Sequence, residues 1–361
     1  MLIGLIYGGK SGEHEVSINS AKGVYSPLCA LGHQVVLIGI TTEGLWFLQQ
    51  GNCIHTTIQR DLPLCVVPGK GLYCNNEPIP LDAALAVTHG YGGEDGNLQG
   101  LCLLANIPLC GCDTVSSALG MHKDLSSKLF EQAGIPTVPS VLLTKKDIER
   151  MDMENLKQVL SAKLGPHLFV KPENSGSSLG VQALVNLDND SLFQAIMEAH
   201  RYSERVLIQQ LVQDMVEVEC GLLDTSDRGL VVAGPGLVID PAKQKQGFLS
   251  YEHKYGQVDT AHLQVPSLLP DELEQTIRTY AKLAFTAIKG EGYARVDFFV
   301  TQQKIFLNEI NTSPGMTKTS HFPTLMQSLG YSMEQVLQIL IDSALKKKVE
   351  TDAYCYLPPG V

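Results

Sequence analysis

The residues best equipped for chemistry lie in the stretch GYARVDFFVTQQKIFLNEINTSPGM, residues 292–316. Two apolar runs within it, VDFFV and KIFLNEIN, carry acidic and amide side chains that an ordinary buried strand would exclude. Both are rich in β-branched and aromatic residues, and the polar Thr301, Gln302 and Gln303 separate them, so they read as a hairpin. Alternation then puts Arg295, Asp297 and Phe299 on one face of the first strand and Leu307, Glu309 and Asn311 on one face of the second. Val296, Phe298, Val300, Phe306 and Ile310 fall behind. Carboxylates in such company are costly to bury unless paired or bound to a cation. Asp297, Glu309 and the Asn311 carbonyl suit Mg²⁺, which takes one or two protein carboxylates and fills its shell with water and nucleotide phosphate oxygens. The alternative is an ion pair of Arg295 with Asp297 or Glu309 at a sheet edge. The turn Asn311-Thr312-Ser313-Pro314-Gly315 adds backbone N–H groups able to stabilise an oxyanion.

Such a hairpin needs a scaffold, and 361 residues suffice for two or three domains. A composition 44% hydrophobic and 18% charged is that of a soluble globular protein. No apolar run approaches the ~20 residues that span a bilayer, so membrane insertion is not expected. The net charge of −11 argues against a general nucleic-acid surface. Lys346 to Lys348, the only basic run, reads as a helix end. Nine cysteines without a CxxC pair argue against zinc or disulfides. The start MLIGLIY lacks the basic segment of an export signal, and the expectation is a reduced, cytoplasmic protein.

Along the chain, MLIGLIY reads as a buried strand, GGKSGEHEVS as a loop, INSAKGVYSPL as a helix capped by Ser17 or Asn19, and VVLIGI as a second strand. Strand, helix and strand in this order predict a parallel unit. GLIYGGKS, from Gly4 to Ser11, matches the literal phosphate-loop pattern, but Gly4 lies inside the apolar run, and the reading is rejected. AALAVT, a further strand, runs into HGYGGEDGNLQG, too rich in glycine for a packed element. His89 stands there at a strand's carboxyl end, where ligands of parallel sheets bind. MHKDLSSKLFEQ predicts a helix with Leu125, Leu129 and Phe130 on one face. HLFVK opens into PENSGSSLG, a flexible lid with Lys171, Ser177 and Ser178 placed to meet phosphates, or a bare hairpin turn. DELEQTIRTYAKLAFTAIKG is an amphipathic helix that buries Leu273, Ile277, Tyr280, Ala284 and Ile288. Ser332 and Gln335 form a capping box before MEQVLQILIDSALKKK.

GYARVDFF with NEINTSPGM resembles the carboxy-terminal signature of the D-alanine–D-alanine ligases, a branch of the ATP-grasp superfamily, and HGxxGEDGxxQG resembles their amino-terminal signature. The resemblance spans residues 1 to about 345 and implies an ATP-grasp fold, α/β and α+β, behind an amino-terminal parallel α/β domain. The implied divisions are 1–114, 115–206 with the glycine-rich loop, 207–347 with the metal site and omega loop, and a tail 348–361.

The resemblance further implies ATP, one or two Mg²⁺ or Mn²⁺ ions on Asp297, Glu309 and Asn311, two D-alanine molecules and a homodimer. Lys123, Lys171 and Lys254 would clamp phosphates, with Ser177, a catalytic serine, and Ser178 in the lid. Gln209, Gln210, Leu211 and Val212 would cross the adenine, although the family often has an acid where Gln209 stands. Glu217 would take the ribose, and Glu173, Phe248 and Asn308 would complete the nucleotide site. Glu13 would orient the first ammonium group. His89, Ser313, Ser320 and His321 would surround the amino acids, Arg295 and Gly315 would meet the oxyanion, and Tyr255 would close over Ser177 and Glu13. His321 leaves D-serine open as the second substrate. The reading from another class is a nucleotide-binding protein of the same fold without turnover.

Overall fold

The structure is a computed structural model that describes residues 1–150, 152–225, 228–240 and 261–354. Its amino-terminal part is built on a five-stranded sheet in the order Trp46–Leu48, Gln34–Ile40, Leu2–Gly8, Ala83–Ala86, Leu109–Cys110. The central strands run parallel, as the strand-helix-strand order requires. Ile3, Leu5 and Tyr7 pack beneath helices His14–Ala30 and Met333–Asp352, while Ile6, Ile38 and Ala84 pack against helix Asn97–Leu104. Burial on both faces is why MLIGLIY is continuously apolar. Gly8 ends the strand at φ +88°, and a Cβ there would lie 2.1 Å from the Ile40 carbonyl. Only glycine lets the following loop turn across the sheet's carboxyl edge.

A second sheet, Gln182–Leu184, Leu168–Pro172, Val206–Gln210, Ser140–Leu143, is antiparallel throughout. Leu168, Val170, Val206 and Ile208 form a core with helices Met153–Leu164 and Asn189–His200. Alternation therefore leaves Phe169, Lys171, Leu207 and Gln209 on the opposite face. The third sheet runs His262–Gln264, Gly229–Ile239, Val216–Thr225, Tyr293–Val300, Ile305–Asn311. Helix Asp271–Ala287 backs it, burying Ile277, Ala281, Ala284 and Phe285 against Val218, Cys220, Val296 and Phe298. Ser332 and Gln335 form the expected reciprocal cap.

Several expectations fail for identifiable reasons. The first helix starts at His14 behind Glu13, and neither Ser17 nor Asn19 caps it; the Ser17 hydroxyl donates to the Val87 carbonyl, tying helix to sheet. Helix Asn97–Leu104 begins inside the glycine-rich run expected to be unpacked. In helix Lys123–Gln132, Leu125 is 41% exposed, whereas Lys123 and Asp124 are buried, because this helix turns its polar side toward a cleft. The last helix continues past Lys348 to Asp352.

The most consequential departure lies in the hairpin. Asp297 faces Glu309 but Phe298 faces Leu307, so Asn308 is an extra residue in its strand. Such a bulge reverses the alternation beyond it. Leu307 therefore joins the core beside Phe298, and Phe306 stands opposite Phe299, the reverse of the faces expected for Leu307 and Phe306.

Candidate active site

Register places three carboxylates in one row across the third sheet, with Glu219 opposite Asp297 and Asp297 opposite Glu309. Like charges directly opposite repel, so the row calls for cations. Arg295 supplies one. Its Nε and one terminal nitrogen donate to the two Asp297 oxygens at 2.8 and 2.7 Å, and Nε lies 3.1 Å from Glu219 Oε2. The ion pair of Arg295 with Asp297 thus exists, whereas Glu309 pairs with Lys123, its Oε2 lying 3.5 Å from Lys123 Nζ. Burial, reinforced by Glu219 and Glu309, outweighs Arg295 and pushes the Asp297 carboxyl up to about 6. The same acids hold the Arg295 guanidinium well above its ordinary value despite burial.

Among the described residues no three His, Cys, Asp or Glu side chains converge as a ready-made metal site. Asp297, Glu309 and Asn311 offer two carboxylates and one amide on the same side of adjacent strands. That set fits a hard divalent ion completing its shell from water and phosphate, and such an ion would relieve the crowding that raises Asp297. Asn311 Nδ2 is assigned as donor to Asp297 Oδ2 at 3.1 Å. To serve as a ligand the amide must present its oxygen there instead.

Two lysines face this row from the neighbouring elements. Lys123 Nζ donates to the Ser175 carbonyl at 2.8 Å, which ties helix Lys123–Gln132 to the glycine-rich loop. Lys171 Nζ reaches across from the second sheet to Asn308 Oδ1 at 3.4 Å. Burial, with Lys123 adding, lowers the Lys171 ammonium to about 7. A cation so poorly compensated is suited to receive a polyanion.

The loop between these lysines and the amino-terminal sheet is bent, with Ser177 at φ 52° and Ser178 at φ 56°, conformations costing roughly 1–3 kcal/mol each. Ser177 Oγ donates to buried Glu13, so the loop from the second sheet closes on the loop after the first strand. Glu94 accepts from the Gly90 N–H at 2.9 Å. Burial, and next Glu13, raises it to about 8. Glu94, with Gly120, Lys123, Gly176, Glu309 and Asn311, lines a narrow pocket at the carboxylate row. A larger cavity of about 450 Å³ opens beside Glu13, Tyr91, His122, Glu173 and Arg205.

After the hairpin, Ser313 Oγ donates to the Thr88 carbonyl at 3.2 Å. His89, expected to meet a ligand, is buried with both ring nitrogens engaged: Nδ1 lies 3.0 Å from the Ser313 carbonyl and Nε2 3.0 Å from Ser20 Oγ. Burial lowers its pKa, so the neutral ring donates from Nδ1 and accepts at Nε2. It joins the amino-terminal domain to the Ser313 loop instead of presenting a free ring nitrogen. Gly315 sits against Ser320, where a Cβ would meet Oγ at 2.8 Å. Ser320 Oγ pairs with Thr317 Oγ1 at 2.7 Å, and His321 Nδ1 lies 2.8 Å from Glu219 Oε2.

Gln209 is buried on the cleft face of its strand, Gln210 is exposed, and Leu211, Val212 and Glu217 are partly exposed along the crossing to the third sheet. Glu173 does not join the lysines; its carboxylate accepts from His122 Nδ1 at 2.8 Å beside the larger cavity. Phe248, Lys254 and Tyr255 lie outside the described residues. Sequence reasoning did not select Glu94 or Glu219. For Glu219 the signal was present in VEVECGLL, where two acids share a parity and only the register shows which one stands opposite Asp297.

Two antiparallel sheets facing one another across a glycine-rich loop, with Lys171 on one and the carboxylates on the other, define an ATP-grasp fold; here a parallel α/β domain precedes it. The family models "D-ala D-ala ligase N-terminus" and "D-ala D-ala ligase C-terminus" match residues 2–112 and 129–342. D-alanine–D-alanine ligase A of Chromobacterium violaceum is 36% identical over 96% of this chain and 95% of its own. Two solved structures are similar along nearly their whole length. D-alanyl-alanine synthetase A from Vibrio cholerae has a TM-score of 0.83 and 30% identity, covering 96% of this chain and 98% of its own. The VanG D-Ala:D-Ser ligase from Enterococcus faecalis has a TM-score of 0.82 and 32% identity, covering 95% and 99%. The chain belongs to the D-alanine–D-alanine ligase family.

Proposed function

We propose that the protein joins two D-alanines into D-alanyl-D-alanine for peptidoglycan, with ATP converted to ADP and phosphate. The observation that carries this reading is the row Glu219, Asp297, Glu309 with Arg295, facing Lys123 and Lys171 across a cleft that also reaches Glu13. A carboxylate is a poor electrophile at neutral pH. In the first step an oxygen of the first D-alanine carboxylate attacks the γ-phosphorus of ATP, ADP leaves, and an acyl phosphate forms. Lys123 and Lys171 bind the phosphates, and Glu13 holds the first ammonium group while Ser177 ties down the loop above it. Asp297, Glu309 and Asn311 would hold one or two Mg²⁺ or Mn²⁺ ions, which supply charge screening between the phosphates and the incoming carboxylate.

In the second step the free amine of the second D-alanine attacks the acyl carbon. Charge gathers on the carbonyl oxygen, and Arg295 with the Gly315 N–H receives it, a contribution of about 3 kcal/mol per donor. Loss of phosphate and of the ammonium proton leaves the amide. Ser313, Ser320 and His321 surround the second amino acid, Gln209 to Val212 border the adenine, and Glu217 reaches the ribose. The protein so read is a cytoplasmic homodimer with its domains dividing near residues 114 and 206. Among the described residues, no helix is long and apolar enough to cross a membrane.

D-serine as second substrate is the other reading. The similarity to a D-Ala:D-Ser ligase and the polar His321 beside the second pocket favour it. Phosphate release from ATP with D-alanine, D-serine, D-lactate and the L forms, coupled to product analysis, tests both. D-alanine alone is expected to support turnover; release that is independent of D-alanine sinks the assignment.

A further inference from the structure

Glu219 is buried in the middle of the third sheet, and the two steps of the proposed reaction give it no role of its own. The neighbouring strand Gly229–Ile239 is irregular at this point: Gly234 and Pro235 stand where Glu219's strand has only Cys220, and Gly234, at φ +90°, has no Cβ to strike the Glu219 carbonyl at 2.8 Å. On the other side the pairing with Tyr293–Val300 is unbroken, and it sets Glu219 directly opposite Asp297. One oxygen, Oε2, then meets two cations or donors from different elements, Arg295 Nε at 3.1 Å and His321 Nδ1 at 2.8 Å. Arg295 belongs to the hairpin, and His321 is the first residue of helix His321–Ser328.

We propose that Glu219 is a positioning residue for the amide-forming step, resting on the ligase reading above. Arg295 has five N–H donors in a rigid fork. Asp297 and Glu219 occupy its Nε edge, so the remaining edge is held toward the cleft in one orientation. The same oxygen fixes which His321 nitrogen points away from the sheet. Glu219 therefore sets the distance between the group that receives the oxyanion and the wall of the second amino-acid pocket. Misplacement of about 1 Å at such a junction is enough to cost two orders of magnitude in rate.

The test compares Glu219→Ala, Glu219→Gln, His321→Ala and the double variant Glu219→Ala/His321→Ala. Readouts are kcat, the apparent KM for ATP, the two apparent KM values for D-alanine, and thermal unfolding. Glu219→Ala is expected to lower kcat about 10- to 100-fold and to raise the weaker KM for D-alanine, with the KM for ATP within about twofold of wild type. Glu219→Gln keeps an acceptor oxygen and should recover most of the loss. The double variant should lose less than the product of the two single losses, because the pair shares one contact. A Glu219→Ala enzyme within about twofold of wild type overturns the proposal, as do equal losses for ATP and D-alanine or losses that simply multiply. Should Glu219→Ala not fold, the isosteric Gln variant decides: it must change the weaker D-alanine KM more than that for ATP. Wild-type enzyme that releases no phosphate with D-alanine refutes the ligase reading, whatever the variants do.

Discussion

Lys171→Met removes a buried ammonium that donates to the Asn308 amide oxygen and replaces it with an apolar chain of similar volume. In the folded protein this group sits at about 7 against an ordinary 10.5. Each unit corresponds to about 1.4 kcal/mol, so below pH 7 the nucleotide-free fold bears a penalty of up to about 5 kcal/mol for keeping Lys171 charged. The sign follows from proton counts. Between about pH 7 and 10.5 the unfolded chain binds the proton and the folded chain does not, so stability rises with pH across that window, and on lowering the pH the gain is fully lost by about pH 7. Lys171→Met should therefore unfold at higher denaturant concentration than wild type at pH 6, and the gap should narrow toward pH 10. Nucleotide should reverse the order, because phosphates recharge the lysine; wild type gains stability on adding ATP with Mg²⁺, and the variant gains little. Wild-type affinity for ATP should weaken above pH 7 as the bound proton must be recruited. The assays are urea unfolding at pH 6, 8 and 9.5 with and without nucleotide. A variant less stable than wild type by the same amount at every pH would show that Lys171 is an ordinary packing residue.

Asp297→Asn and Glu309→Gln should each lower kcat/KM by at least about 10³-fold while the protein stays folded, and excess Mg²⁺ or Mn²⁺ should restore only part of it, as steady-state kinetics over a metal titration will show. Treatment with a chelator should abolish wild-type turnover until a divalent ion is returned. Lys10→Ala should leave turnover within about twofold, because Lys10 is exposed and Gly4 lies inside strand Leu2–Gly8, so no phosphate loop exists to be broken. Gly292→Ala should cost at least about 2 kcal/mol in denaturant unfolding, since Gly292 has φ +65° and a Cβ there would lie 2.7 Å from the Gly111 backbone.

The sequence by itself determined the elements and most of the chemistry. Period-two alternation identified the hairpin strands, 3.6-residue periodicity identified helix Asp271–Ala287, and Ser332 with Gln335 marked the last helix start. Acids embedded in VDFF and FLNEIN stood out because burying charge without a partner is prohibitive. What only the tertiary structure decided is which residues meet. One extra residue at Asn308 exchanged the faces of Phe306 and Leu307, and no local propensity encodes a bulge. Leu125 faces outward while Lys123 is buried, because the helix turns toward a cleft made by strands over 40 residues away in sequence. Glu217 and Glu219 have the same local pattern, and pairing with Asp297 alone singles out Glu219. His89 looked like a ligand-binding residue at a strand end, yet its partners are Ser20 and Ser313, the latter 224 residues away. Hydrophobic patterning is a property of neighbours along the chain, whereas a site is a coincidence of groups from distant segments. Strand register and domain packing alone bring those groups together.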